Sequence, residues 1–240
     1  MKIFYLIVFV LFSITTKTQA NQTDKNILIK NIEKNLSIYN KVALKIWEYA
    51  EVGFKEEKSS KELITLLKEN GFVITEGVAG MPTAFIAEYG KGGPIIGVLG
   101  EYDALPGLSQ THNTIKEKRN GVVSGHGCGH NLFGVASAAA AIATKNWLEE
   151  TNTEGVIRFY GCPAEEGGSG KVYMVREGLF DDVDVVLHWH PSNKNRASSG
   201  STLANKTGKF RFYGTSAHAA SAPERGRSAL DGLEAMNNML

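Results

Sequence analysis

Three short stretches concentrate side chains able to bind a metal ion or move a proton. In Gly125-His126-Gly127-Cys128-Gly129-His130-Asn131, glycines alternate with two imidazoles and a thiol. Glycine lets a backbone bend tightly and come close to an ion, and thiolate and imidazole suit zinc and similar divalent metals. By itself a Cys-x-His pair is equally an irregular turn with surface histidines. The second stretch, Cys162-Pro163-Ala164-Glu165-Glu166-Gly167-Gly168, closes an apolar run. Pro163 ends a strand's hydrogen-bond ladder, which frees the adjacent acids to face one cavity. There one could hold a metal while the other takes a proton from water; a solvated acidic turn is the plainer alternative. The third, Val185-Val186-Leu187-His188-Trp189-His190-Pro191, ends another apolar run with two histidines. A lone histidine there is more often structural than a ligand, but the three clusters taken together point to a metal centre.

The elements that must position them follow from periodicity. Apolar residues from Ile27 to Trp47 recur at threes and fours, which predicts a helix over 24–51 stopped by Gly53. A second helix is expected over 56–69. Strands are expected at 72–75, 83–87, 95–99, 156–160 and 183–188, with those at 95–99 and 183–188 buried on both faces. Residues 106–127 read as a long loop, and loops of that length are commonly functional. An alanine-dense helix over 131–148 and a short one over 171–177 complete the alternation. The implied fold class is α/β, with a largely parallel sheet sandwiched by helices. Open sheets of this kind bind ligands at the carboxyl ends of their strands, which is where the acidic and histidine clusters fall.

The remaining sequence sets bounds. A length of 240 residues, 42% of them hydrophobic, allows a real core. The net charge of +1 and the lack of a basic stripe argue against a nucleic-acid partner. Lys2, the apolar run 3–12 and Ala20 have the pattern of a secretory leader over 1–20. That predicts export to the periplasm or outside, with no stable membrane anchor after cleavage, because a spanning helix needs about 20 apolar residues. A metal-binding catalytic domain is expected over 21–199. After it the sequence changes character: a half-exposed strand at 208–213 and an amphipathic helix at 227–240 read as the start of a second, α+β domain over 200–240. Gly167-Gly168-Ser169-Gly170-Lys171 fails as a phosphate loop, since Val172 follows the lysine. No Gly-x-Ser-x-Gly nucleophile elbow is present.

Four motifs make a resemblance specific. Glu101-Tyr102-Asp103-Ala104-Leu105-Pro106, His126-Gly127-Cys128-Gly129-His130-Asn131, Pro163-Ala164-Glu165-Glu166-Gly167-Gly168 and Trp189-His190-Pro191 occur in the order found in a family of dinuclear-metal amidohydrolases. That family includes aminoacylases, auxin-conjugate hydrolases and metallo-carboxypeptidases. The stretches 212–220 and 223–230 extend the likeness, which is strongest to the aminobenzoyl-glutamate utilisation protein B branch.

The resemblance implies two divalent ions, zinc or manganese, held by Cys128, His130, Glu166 and His190, with Glu165 as general base. Gapless alignment of the strand before them favours His190 over His188. Asp103 would orient a ligand, and His218, in a lid, would polarise the scissile carbonyl across a homodimer. The implied substrates are N-acyl or N-aroyl amino acids, or dipeptides. Members of the family are longer and return to the catalytic domain after the lid with one more histidine ligand. An inactive metal-binding or dimerisation fragment is therefore the rival reading. A further alternative makes Cys128 and Cys162, the only two cysteines, a disulfide in an exported protein.

Overall fold

A computed structural model describes residues 22–197, 200–204 and 206–240. The leader expected over 1–20 lies outside the described residues. The chain forms two compact units, one ending at Asn193 and the other beginning at Lys194.

The first unit opens with α1 (Gln22–Lys34) and α2 (Leu36–Tyr49). The single helix expected over 24–51 is thus broken at Asn35, whose side-chain amide donates to the Asn31 carbonyl while its N–H turns to Ile32 O at 3.1 Å. Asparagine competes with helical hydrogen bonds in this way. α2 buries Tyr39, Val42, Ala43 and Ile46, and α3 (Glu57–Glu69) buries Leu63, Ile64, Leu66 and Leu67. Strands β1 (Val73–Glu76), β2 (Phe85–Lys91) and β3 (Ile95–Glu101) follow, then the two-residue pair β4 (Leu105–Pro106) and β5 (Ser124–Gly125). That pair ties together the ends of the loop expected over 106–127. Arg119 fastens the loop's middle by donating to the carbonyls of Trp47 and Glu48 and lying over the Trp47 ring. α4 (His130–Thr151), β6 (Gly155–Cys162), the short α5 (Glu165–Gly168) and α6 (Gly170–Arg176), and β7 (Val185–Leu187) complete the unit.

The five-stranded sheet runs β1-β2-β6-β3-β7. β3 lies parallel to both β6 and β7, while β1–β2 and β2–β6 are antiparallel. Helices cover it in the α/β manner. On one face α2, α3 and α4 bury Phe85, Phe159 and Ile157 beneath Val135, Ala138, Ala139 and Ile142, the alanines letting α4 sit close. On the other face Leu99, Tyr160 and Cys162 meet Met81 and Met174. The parallel register sets Glu101 opposite Cys162, so the segments leaving β3 and β6 emerge side by side.

Two expectations need correction. β7 is not a buried strand: it pairs only with β3 at the sheet edge, and Val185, Val186 and Leu187 are all exposed. In the second unit, residues 208–213 form no strand. A strand needs a neighbour to take its backbone groups, and none pairs with this segment among the described residues. An isolated bridge joins Thr215 to Arg227, with mutual N–H to O bonds of 2.9 Å. α7 (Ala229–Met239) is capped by the Ser228 hydroxyl, which accepts from Asp231 N–H at 3.1 Å. Among the described residues no helix is long and apolar enough to cross a membrane.

Candidate metal centre

Gly129, in the left-handed region at φ 74°, precedes α4 and makes His130 its first residue. One turn on, Gly134 lies so near the end of β3 that an added Cβ would stand 2.5 Å from the Glu101 carbonyl oxygen. This close approach sets the His130 ring, 1% exposed, against Glu101 and Asp103. His130 Nδ1 lies 2.9 Å from Asp103 Oδ1 and 3.0 Å from the Asp103 carbonyl oxygen. Both partners accept, so Nδ1 carries a proton, and whenever the ring is neutral Nε2 presents a lone pair. Burial opposes charging the ring, but the Asp103 hydrogen bond and the surrounding carboxylates outweigh it and raise its pKa. Asp103 Oδ2 accepts the Glu166 N–H at 2.9 Å, so one carboxylate fixes both the imidazole and the acidic turn.

That turn has a second support. Ala164 takes a left-handed φ of 56° and its N–H donates at 2.8 Å to Glu56 Oε1. Glu56, fully buried, also accepts from the Thr83 hydroxyl. Burial pushes its pKa up despite these bonds. The turn is thereby fixed in place, with Pro163 and Ala164 buried, Glu166 half-buried and Glu165 exposed.

Around His130 Nε2 stand Glu101 Oε2 at 3.1 Å, Glu165 Oε2 at 3.9 Å and Glu166 Oε1 at 4.0 Å. One donor atom each from Cys128, His130 and His190 lies within 4.8 Å of the others, and the same is true of Glu101, His130 and Glu165. His190, beside the His130 ring with centroids 5.7 Å apart, follows a segment pinned to α4 by Trp189 Nε1–H donating to Ser137 Oγ. The Cys128 thiol is pushed up to about 11 by its hydrogen bond with Glu166, by burial and by the nearby acids. His130 Nε2, Glu166 Oε1 and Glu101 Oε2 are buried without a hydrogen-bond partner. Buried polar atoms are rarely left so. Acceptors converging on a lone pair repel one another unless a cation lies between them. Thiol, imidazole and carboxylate are a donor set suited to zinc or manganese, so the residues present fit a divalent ion.

Other residues fall elsewhere. His126 turns away: its Nε2 lies 3.0 Å from the Ile46 carbonyl oxygen on α2, and burial pushes its pKa down to about 4. His188 faces Glu101 Oε1 at 3.3 Å. His218 is in the second unit, exposed, with Nδ1 accepting from the N–H groups of Ala220 and Ser221. The disulfide alternative is not realised, since both cysteines are free. Cys162 points from β6 into the apolar cluster with Met81 and Met174, whereas Cys128 sits in the loop before α4. The sequence reading assigned no part to Glu56, Glu101 or Lys171. Glu101 is 1% exposed and Lys171 donates to its Oε1. Two signals bore on them: Glu101 opens the motif that runs to Pro106, and Lys171 sits among glycines directly after the acidic pair. An apolar cavity of about 480 Å³ lies to one side, lined by Ile96, Val98, Ala140, Trp147 and Trp189, and lacks the donors that converge on His130.

Comparison with known proteins assigns the chain to a family. The profile of Peptidase family M20/M25/M40 matches residues 97–224. The chain is 50% identical over 206 residues to one of the subunits of p-aminobenzoyl-glutamate hydrolase from Escherichia coli K12, covering 85% of this chain and 43% of that protein. It is 33% identical over 198 residues to a mouse Xaa-Arg dipeptidase, covering 78% of this chain and 42% of that one. The crystal structure of an aminobenzoyl-glutamate utilization protein from Klebsiella pneumoniae shares the fold, with a TM-score of 0.53 at 18% identity over 85% of this chain and 56% of that one. The chain thus spans less than half the length of these two sequence relatives. On the matched profile and the identity to these relatives, the chain belongs to peptidase family M20/M25/M40.

Proposed function

We propose that this chain serves metal-dependent hydrolysis of the amide bond in N-acyl or N-aroyl amino acids, or in dipeptides. The observation that carries the reading is the buried, unpartnered Nε2 of His130 amid carboxylates, a thiol and a second imidazole. The relatives' names support this substrate class: one is a subunit of p-aminobenzoyl-glutamate hydrolase and one is an Xaa-Arg dipeptidase.

Cys128, His130, Glu166 and His190 would hold two divalent ions, zinc or manganese. When bound, the ions supply Lewis-acid polarisation of the carbonyl and make water a stronger nucleophile near neutral pH. Asp103 keeps His130 in the tautomer that leaves Nε2 free. The family resemblance divides the work between the two acids, and their exposure is compatible with it. Glu166, with a side chain 17% exposed, is a ligand, and Glu165, 43% exposed, meets substrate. Glu165 takes the proton of the attacking water and passes it to the leaving nitrogen. His218 stabilises the oxyanion. Residues 200–240 begin a lid through which two copies pair, and residues 1–20 direct export and are removed.

The test is a substrate panel of N-acyl and N-aroyl amino acids and dipeptides, with zinc or manganese added. Glu165→Gln should lower kcat by about 10²–10⁴-fold while metal content stays unchanged. Undiminished turnover would remove Glu165 from its role. The rival reading, a metal-binding or dimerisation fragment without turnover, makes a different prediction. Metal binding by the wild type with no hydrolysis of any panel member supports that one.

A further inference from the structure

Glu101 has no part in the donor set just given, and its two carboxylate oxygens are in different situations. Oε1 accepts from Lys171 Nζ and lies 3.3 Å from His188 Nε2. Oε2 is buried, has no hydrogen-bond partner, and stands 3.1 Å from His130 Nε2, which has none either. The two atoms stand close with no hydrogen bond between them. His130 already gives its Nδ1–H to Asp103. With Nε2 deprotonated, two buried lone-pair atoms face each other.

A cation resolves this contact. Donors each about 2.0–2.2 Å from one ion stand about 3–3.5 Å apart when they are adjacent in its coordination sphere, a range that includes the observed 3.1 Å. The neighbouring acids are farther from Nε2, at 3.9 and 4.0 Å. We propose that Glu101 is a further metal donor, through Oε2, and that Lys171 is the positioning residue that holds Oε1 and turns Oε2 toward His130. The register of the sheet supports this assignment. Glu101 ends β3 opposite Cys162, and Lys171 enters from α6, which follows the turn leaving β6. Lys171 is thereby joined to the same end of the sheet as the acidic pair. Its ammonium group neutralises the carboxylate that would otherwise be buried alone when no ion is bound.

This inference rests on the metal-site reading above, and one set of measurements separates the two. Zinc affinity is measured by competition with a chromogenic chelator, and melting temperature with and without zinc, for the 240-residue chain and for Glu101→Gln, His130→Ala and Lys171→Met. The expected result is zinc binding by the wild type, loss in His130→Ala, and weakening by about 10–100-fold in Glu101→Gln. No zinc binding by the wild type would overturn the metal-site reading and this inference with it. Binding by Glu101→Gln within twofold of the wild type, with His130→Ala deficient, would overturn the Glu101 assignment alone. Lys171→Met decides the matter if Glu101→Gln does not fold. Zinc should raise its melting temperature by more than it raises the wild type's, because the ion then becomes the chief partner of Glu101. A purely structural Glu101–Lys171 ion pair predicts an equal or smaller rise, and that result would overturn the assignment.

Discussion

A neutral His130 that has given its Nδ1–H to Asp103 can offer only Nε2 to the site, so Asp103 decides what that imidazole is able to do. It also accepts the Glu166 N–H, which couples the ring's orientation to the acidic turn. Asp103→Ala should therefore weaken zinc or manganese binding by about 10–100-fold, read by chelator competition. An unchanged affinity would mean that the backbone carbonyl of residue 103 holds the ring unaided. The donor types at this scale were legible in the sequence, because Cys128, His130, the Glu165-Glu166 pair and His190 stand out as rare side chains at strand and helix ends. Glu101 and Lys171 were not. Their contact joins residues seventy positions apart, and it depends on the β3–β6 register and the turn at Ser169–Gly170, neither of which periodicity reveals.

Elements bring these residues together through tight backbone approaches. Gly134 is the sharpest case: a methyl group there meets the Glu101 carbonyl at 2.5 Å. Alanine is a better helix former than glycine by about 1 kcal/mol, yet overpacking against backbone costs roughly 1–3 kcal/mol. Gly134→Ala is thus expected to destabilise the chain in urea unfolding and to weaken metal binding as α4 shifts. A variant as stable as the wild type would show that α4 has room. On the other side of the site, Arg158 on β6 donates to both oxygens of Asp182 at 2.7 and 2.9 Å. These hydrogen bonds hold the Asp182 carboxyl below its ordinary pKa. A depressed aspartate stabilises the fold above its unfolded pKa of about 4 and loses that contribution as pH falls through its folded value. Asp182→Asn should lower the melting temperature at pH 7, and that loss should shrink between pH 7 and pH 3. An equal loss at the two pH values would rule out this linkage. Helix and strand order was readable because apolar spacing reports it directly. The break at Asn35 depends on a side chain competing with its own helix. The exposure of β7 was unreadable because an apolar run looks the same whether or not another element covers it.

At the scale of the molecule, the first unit contains all the donors drawn together around His130, while His218 belongs to the second. Metal binding is therefore a claim about the first unit, and the part proposed for His218 in amide hydrolysis is a separate claim. The alternation of strands and helices made the α/β class legible, and the order of motifs made the family legible. The failure of residues 208–213 to form a strand was not, since alternating apolar residues carry no information about whether a partner strand lies beside them. The claim on which the remaining proposals depend is that His130 Nε2 faces a divalent ion. A crystal structure of the metal-saturated chain, with anomalous data collected at the zinc or manganese edge, tests it most directly. The predicted result is an anomalous peak about 2.0–2.2 Å from His130 Nε2, with Cys128, Glu166 or His190 completing its coordination. A map from saturated crystals with no peak beside that nitrogen would contradict the account.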